Sequence, residues 1–222
     1  MFKTITIEKY DYKEVKQKYF LEYDWIWKVL LYGNILDFYF IKGLKETLTL
    51  QELLNENNID SGGGFKAIKT ATDNNNKYFP ELKDLKLVTP ELLQSYYVNI
   101  ENAEYNKIEH FERINKKNLN IYYAPHILIK RTINTEPIVA YTEEDCIFSN
   151  LIHGISGDKS QKDLLKSLVA FISSDLVKYL LFLLSSQWGI ERDEIYIEEF
   201  LRLPVTNDLF ERKLYEECDN IL

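Results

Sequence analysis

Hydrophobic and polar positions fall into three regimes along the chain. At the start, Thr4-Ile5-Thr6-Ile7 alternates with period two, the pattern of a short strand covered on one face. From Tyr12 the spacing lengthens. Val15, Tyr19 and Phe20 among Lys and Glu suit a surface helix, and Trp25, Ile26, Val29 and Leu30 fall at helical steps that read as core. Gly33-Asn34 marks a break, after which Leu36, Phe40 and Leu44 resume the helical period as far as Lys45. Thr49-Leu50-Gln51-Glu52 is a capping box: the Thr hydroxyl takes a free amide and the Glu carboxylate reaches back to the Thr amide. It predicts a short helix ending near Asn57-Asn58.

The pattern changes at Asp60-Ser61-Gly62-Gly63-Gly64-Phe65, where three glycines call for a turn or a close backbone approach. Beyond it, Asp73-Asn74-Asn75-Asn76, Pro80 and Pro90 are turn signals in a loop-rich stretch. Strands are predicted at 120–129 and 138–141. Pro125 interrupts the first and, lacking an amide, belongs at a sheet edge or bulge. The third regime opens on the cap-like Ser160-Gln161-Lys162-Asp163. Leu165, Leu168, Val169, Ile172, Leu176, Tyr179, Leu180 and Leu183 then form one stripe at three- and four-residue steps, predicting a single long helix. Over 177–184 it is apolar almost all round and should be buried, with Gly189 placed to stop it. Ile195-Tyr196-Ile197 reads as a brief strand and 209–218 as a last short helix. The expected architecture is α+β. A helical support segment over 1–60 and a loop-rich mixed β region over 61–150 precede 151–222, whose long helix and C-terminal segment pack back on the body.

Composition limits the function classes. A chain of 222 residues, 45% hydrophobic and 28% charged, has ample material for a core. Its 16 Tyr, 12 Phe and 3 Trp either fill that core or present flat amphipathic surface to a partner. Cys146 and Cys218 show no metal or redox spacing, so reduced thiols and a cytoplasmic setting are expected. Met1-Phe2-Lys3-Thr4-Ile5 shows no signal-peptide pattern. The longest apolar run, 179–184, is far short of the roughly 20 residues that span a bilayer, so no membrane role is expected. The net charge of −8 argues against a generic nucleic-acid binder, but the charge is uneven. Ser61 to Arg131 carries eleven Lys/Arg against eight Asp/Glu, leaving the remainder at −11. An acidic body with a mildly basic middle can set that middle against phosphates.

Candidate chemistry is sparse. The glycine run could cradle a phosphate, yet no Gly-Lys-Ser/Thr follows it and no Gly-x-Gly-x-x-Gly occurs anywhere. His110, His126 and His153 lack partners at ligand spacing, so no metal site is assigned, and His126 reads as structural. No Ser sits in a nucleophile elbow and no Cys pairs locally with His. Glu143-Glu144-Asp145 reads as a solvated turn, and Glu191, Asp193 and Glu194 lack the partner Lys of a metal-dependent nuclease. No catalytic residue is assigned.

Five ordered blocks carry a family likeness: Trp27-Lys28-Val29-Leu30-Leu31-Tyr32-Gly33-Asn34 with Asp37; Gly62-Gly63-Gly64-Phe65 with Pro80-Glu81-Leu82 and Val88-Thr89-Pro90; Ala124-Pro125-His126-Ile127-Leu128-Ile129-Lys130; the apolar stretch 164–186; and Gln187-Trp188-Gly189-Ile190-Glu191-Arg192 with Leu203-Pro204. In this order they resemble the C-terminal target-recognition region of adenine-N6 DNA methyltransferases of the type IIG-like restriction-modification kind. Ala124 stands where the family more often has Gly. The family's Asn-Pro-Pro-Tyr-like motif, which holds a flipped adenine, and its glycine-rich S-adenosylmethionine loop do not occur here.

The resemblance implies a non-catalytic specificity fragment that binds double-stranded DNA and works with a methyltransferase catalytic domain in the same or a separate chain. S-adenosylmethionine is expected in that domain and no cofactor in this one. Phosphate contacts are expected from Lys66 and Lys69 after the glycines, Lys116 and Lys117 in a polar turn, and Lys130-Arg131 at a strand end; Arg113 is the candidate base reader. Trp188 and the helix before it are assigned to packing. The rival expectation, favoured by the charge of −8, is a scaffold module of a restriction-modification complex that never touches DNA.

Overall fold

A computed structural model describes residues 14–67, 77–114 and 116–205, with backbone alone at 67, 77 and 116–118. The elements expected at 4–7, 73–76 and 209–218, together with Lys69 and Cys218, lie outside the described residues.

Four short helices come first: α1 (Gln17–Glu22), α2 (Ile26–Tyr32), α3 (Ile35–Leu44) and α4 (Leu50–Glu56). Local capping sets two of their starts. Asn34 accepts the Leu36 amide at 2.8 Å while its own amide donates to Asp37 at 2.6 Å. The box read at Thr49 is present: the Glu52 amide donates to the Thr49 hydroxyl oxygen at 3.3 Å, and the Thr49 amide to the Glu52 carboxylate at 2.8 Å. Such caps contribute about 1 kcal/mol each. The helical period of α3 is as read, but its buried face is Phe38 and Ile41, leaving Leu36 and Phe40 exposed.

Among the described residues eleven strands follow: β1 (Asp60–Gly63), β2 (Lys66–Ala67), β3 (Lys77–Tyr78), β4 (Lys86–Val88), β5 (Tyr96–Tyr97), β6 (Glu104–Tyr105), β7 (His110–Arg113), β8 (His126–Lys130), β9 (Val139–Thr142), β10 (Cys146–Phe148) and β11 (Ile152–Ser156). The main sheet has the order β1-β11-β8-β9-β5; β10-β4-β6 and β2-β7-β3 form two smaller sheets. Alternation along β8 and β9 sends Ile127, Ile129, Val139 and Tyr141 to one face and Leu128 and Ala140 to the other. Both faces are covered. The first packs on the helices, and the second on a smaller core containing Phe65, Phe79, Phe111 and Phe148.

Several expectations change here. The glycine run is an edge strand, not a free turn: β1 pairs antiparallel with β11, Gly62 opposite Gly154. Residues 116–122 form a 3-10 helix, so the strand read over 120–129 begins only at His126 and Pro125 lies just before it. The expected long helix is two, α5 (Lys162–Ile172) and α6 (Asp175–Leu184), meeting at a bend of 65°. Ser174 adopts an extended backbone and its hydroxyl accepts the Val177 amide, so a serine cap starts a new helix where the apolar stripe runs on. Helix α6 ends at Leu184, before Gly189, whose φ of +75° instead closes the turn after Gln187. Ile197 opens α7 (Ile197–Leu201), and just before it Glu194 forms an isolated bridge with Thr132. The α+β class stands.

Lys28, on α2, is buried and donates to the Ser185 carbonyl at 3.1 Å, the Ser185 hydroxyl at 3.2 Å and the Trp188 carbonyl. A lysine placed there satisfies carbonyls left open at the C-terminal end of α6. Burial lowers its pKa to about 8, with Glu199 opposing. No single helix among the described residues is long and apolar enough to cross a membrane.

Candidate nucleic-acid interface

The site is built on the glycine run. The Gly64 amide donates to the Ile152 carbonyl at 3.0 Å, the Phe65 amide to Phe148 at 3.0 Å, and the Asn150 amide to Phe65 at 2.7 Å. This stitching brings the chain against the turn after β10 so closely that a Cβ on Gly64 would sit 2.2 Å from the Phe148 carbonyl oxygen. Only glycine fits. Gly63 differs: a Cβ there would meet only the His153 Nδ1, at an ordinary 3.7 Å. Its missing side chain leaves space open beside the strand.

Three of the expected cationic residues border that space. Lys66 lies opposite Arg113 in the β2–β7 register. Arg131 follows β8 and reaches the same opening, a cavity of about 290 Å³ between Gly63, His153 and Tyr196. A second hollow of about 530 Å³ shares Gly63, Ile197 and Glu198 with it, so the two form one trough along β1. The cations are held differently. Lys66 is ion-paired to Glu112 at 2.6 Å. Arg131 pairs with Glu194 at 2.8 Å and lies 4.5 Å over the Tyr196 ring. Arg113 is exposed and makes no ion pair among the described residues. Of the three it is the one most open to a ligand.

His153 forms the inner wall. The residue is 3% exposed, and Nε2 lies 2.9 Å from the Ile195 carbonyl oxygen. A carbonyl only accepts, so Nε2 carries the proton and Nδ1 presents a lone pair. Burial is the main force lowering the pKa of His153, and Arg131 adds to it, so the ring is neutral near pH 7. Among the described residues Nδ1 has no hydrogen-bond partner, and neither does Nε of Arg131. A buried polar atom without a partner is uncommon, and two line this one cavity.

The remaining expected residues are not gathered there. Lys116 and Lys117 lie on the 3-10 helix that precedes β8, their side chains outside the description. Lys130 is half-buried and belongs to another surface, near Glu91, whose carboxyl the Thr89 hydroxyl chiefly holds below the usual range, with Lys130 contributing. His126 is structural, as read: its Nδ1 lies 2.8 Å from the Ile121 carbonyl oxygen, and its Nε2 lies 3.1 Å from the Glu144 carbonyl oxygen and 3.4 Å from the buried Cys146 sulfur. Trp188 is core, packing edge-on against Phe182. Glu143, Glu144 and Asp145 are exposed, and Glu143 pairs with Lys162. No group of three or more His, Cys, Asp or Glu able to hold a metal exists among the described residues.

Sequence reasoning missed His153, Tyr196 and Glu198. Nothing local marks them, because each reaches the trough through strand pairing or the start of α7. It also missed an apolar face: on α2 and α3, Trp27, Leu31, Leu36, Tyr39 and Phe40 are exposed, Leu36 at 73%.

No protein family matches the chain, and no curated protein does. A solved chain from a study of the assembly and conformational transition of a type I restriction-modification system is similar at a TM-score of 0.36 and 12% identity. That likeness covers 76% of this chain and 36% of the other. A likeness this slight assigns neither fold nor role.

Proposed function

We propose that this chain is a DNA target-recognition part of an adenine-N6 methyltransferase of a restriction-modification system, itself non-catalytic. The observation that carries the reading is the convergence of Lys66, Arg113 and Arg131, separated by up to 65 positions in sequence, on one trough floored by glycine backbone. Phosphates draw cations, and backbone stripped of side chains admits close approach. In this reading Lys66 and Arg131 position the duplex, while exposed Arg113 is free to reach a base edge. Lys69, Lys116, Lys117 and Lys130 are further phosphate contacts in this reading. The protein works in the cytoplasm, and S-adenosylmethionine belongs to the catalytic partner. That partner packs on the exposed apolar face of α2 and α3. Trp27, Leu31 and Leu36 of that face fall within the 27–37 block of the resemblance.

Fluorescence anisotropy with mixed-sequence duplexes at rising salt tests the proposal. Affinity should fall with salt, with a log–log slope of about −0.9 per phosphate contacted. Arg113→Ala should weaken binding by about 1–3 kcal/mol if the side chain reads a base. The rival reading, a scaffold that does not touch DNA, is favoured by the exposed apolar face and the net charge of −8. It gains if no duplex binds at low salt.

A further inference from the structure

The trough divides by charge. Lys66, Arg113 and Arg131 line its smaller hollow. The larger one, of about 530 Å³, has no Lys or Arg among its described lining residues and carries Asp60 and Glu198. Phosphate is repelled there. What this hollow offers beside the backbone of β1 is neutral hydrogen-bonding groups, the carboxamides of Gln51 and Asn55 on α4. The Thr49 box fixes the start of α4 and Leu50, Leu53 and Leu54 bury one side of it, so its polar face is set without either amide. Gln51, half-buried, and Asn55, exposed, stand one turn apart on that face, and Gln51 Nε2 donates to Asn55 Oδ1 at 3.1 Å. This bond orients the Asn55 amide. Oδ1 keeps a second lone pair, and Nδ2 makes no hydrogen bond among the described residues. Asn55 therefore carries an open acceptor and an open donor, their separation fixed by the amide itself.

We propose that Asn55 reads adenine, with Gln51 as its positioning residue. The inference rests on the DNA-recognition reading and adds to it a base and the side chain that selects it. In the major groove adenine presents a donor, the N6 amino group, beside an acceptor, N7, which is the complement of a carboxamide. Asn55 Oδ1 accepts from N6, and Asn55 Nδ2 donates to N7. Guanine presents two acceptors, one of which would face Oδ1 with no proton between them. Cytosine offers only a donor, and thymine an acceptor and a methyl group. The cations of the smaller hollow hold the backbone, while Asp60 and Glu198 keep phosphate out of the space that the base edge enters.

Asn55→Asp is the discriminating variant: it keeps the shape of the side chain but exchanges the donor for a second acceptor, which suits the N4 amino group of cytosine. Asn55→Ala removes both groups, and Gln51→Ala leaves Asn55 in place without its orienting bond. Wild type and the three variants are incubated with duplexes randomised over their central positions, and the bound fraction is sequenced. The enriched duplex is then remade with 7-deazaadenine, which lacks the N7 acceptor, and compared by anisotropy. The expected result is adenine enriched at one position in wild type and cytosine at the same position in Asn55→Asp. Asn55→Ala should show no preference there, and Gln51→Ala a weaker preference for adenine. 7-Deazaadenine should lower wild-type affinity on the order of tenfold and leave Asn55→Ala unmoved. Residue 55 is exposed, so the thermal midpoints of its variants should match wild type. A wild type that enriches no adenine, or an adenine preference retained in Asn55→Ala or Asn55→Asp, overturns the inference and leaves DNA binding standing. A Gln51→Ala profile identical to wild type overturns the positioning role. Failure of wild type to retain any duplex at low salt overturns the inference and the DNA reading together.

Discussion

Replacing Gly64 with alanine should break the molecule where replacing its neighbour does not. A Cβ on Gly64 would lie 2.2 Å from the Phe148 carbonyl oxygen and 2.3 Å from that of Ser149, both backbone atoms with no rotamer to change. Relief requires the 64–65 segment to move away from the turn after β10. That movement stretches the Phe65–Phe148 and Asn150–Phe65 hydrogen bonds, of 3.0 and 2.7 Å. Each such bond contributes about 1 kcal/mol net, and overpacking at a tight site costs about 1–3 kcal/mol, so a loss of about 3–5 kcal/mol is expected. For a chain of this size that lowers the thermal midpoint by roughly 6–20 °C. Gly63→Ala meets only His153 Nδ1 at 3.7 Å and should stay within about 1 kcal/mol of wild type. Urea unfolding followed by tryptophan fluorescence measures both. Equal stabilities for the two variants would refute the claim that Gly64 is required by close backbone approach.

Three further outcomes follow from the geometry. Lys28→Met should cost about 2–4 kcal/mol in urea unfolding, because the Ser185 and Trp188 carbonyls lose their donor. The Lys28 amine holds its proton less tightly folded, at about 8, than unfolded, at 10.5, so wild-type stability should rise from pH 8 to 10.5. That rise should vanish in Lys28→Met; an unchanged pH profile would contradict the assignment. His126 and His153 both have pKa values lowered by burial, so the unfolded chain binds more protons once pH falls through 6.5. Unfolding free energy should therefore decline on acidification, and His153→Gln should flatten the curve. Leu31→Lys with Leu36→Lys, at 70% and 73% exposure, should leave the thermal midpoint unchanged. The same pair should weaken binding of a methyltransferase catalytic subunit supplied in trans, as read by calorimetry; undiminished binding would clear the face of that role.

Local signals were legible and relational ones were not. The Thr49 box and the break at Gly33-Asn34 depend on residues three or four apart, and both are as the sequence reads them. The strand read at 138–141 is β9, one residue displaced. The bend between α5 and α6 escaped because the apolar stripe crosses Ser173-Ser174 without interruption, while the deciding interaction is a single serine hydroxyl. The glycines read as a turn because glycine is poor in strands; pairing with β11 overrides that preference. At the trough, the cations were visible as residue types. Their meeting depends on the register of Lys66 with Arg113 and on the passage of Gly64 over the turn after β10, which no spacing encodes.

The entry to α4 and the end of the described chain are fastened at one place. The Val205 amide donates to the Leu48 carbonyl, the Leu50 amide to Leu203, and Thr49 bridges Pro204. Everything between leaves and returns through that single clasp, and helices from both ends fill one shared core. The β2–β7–β3 sheet supplies no strand to this clasp. A lineage can therefore rewrite that small sheet while the clasp goes on folding as before.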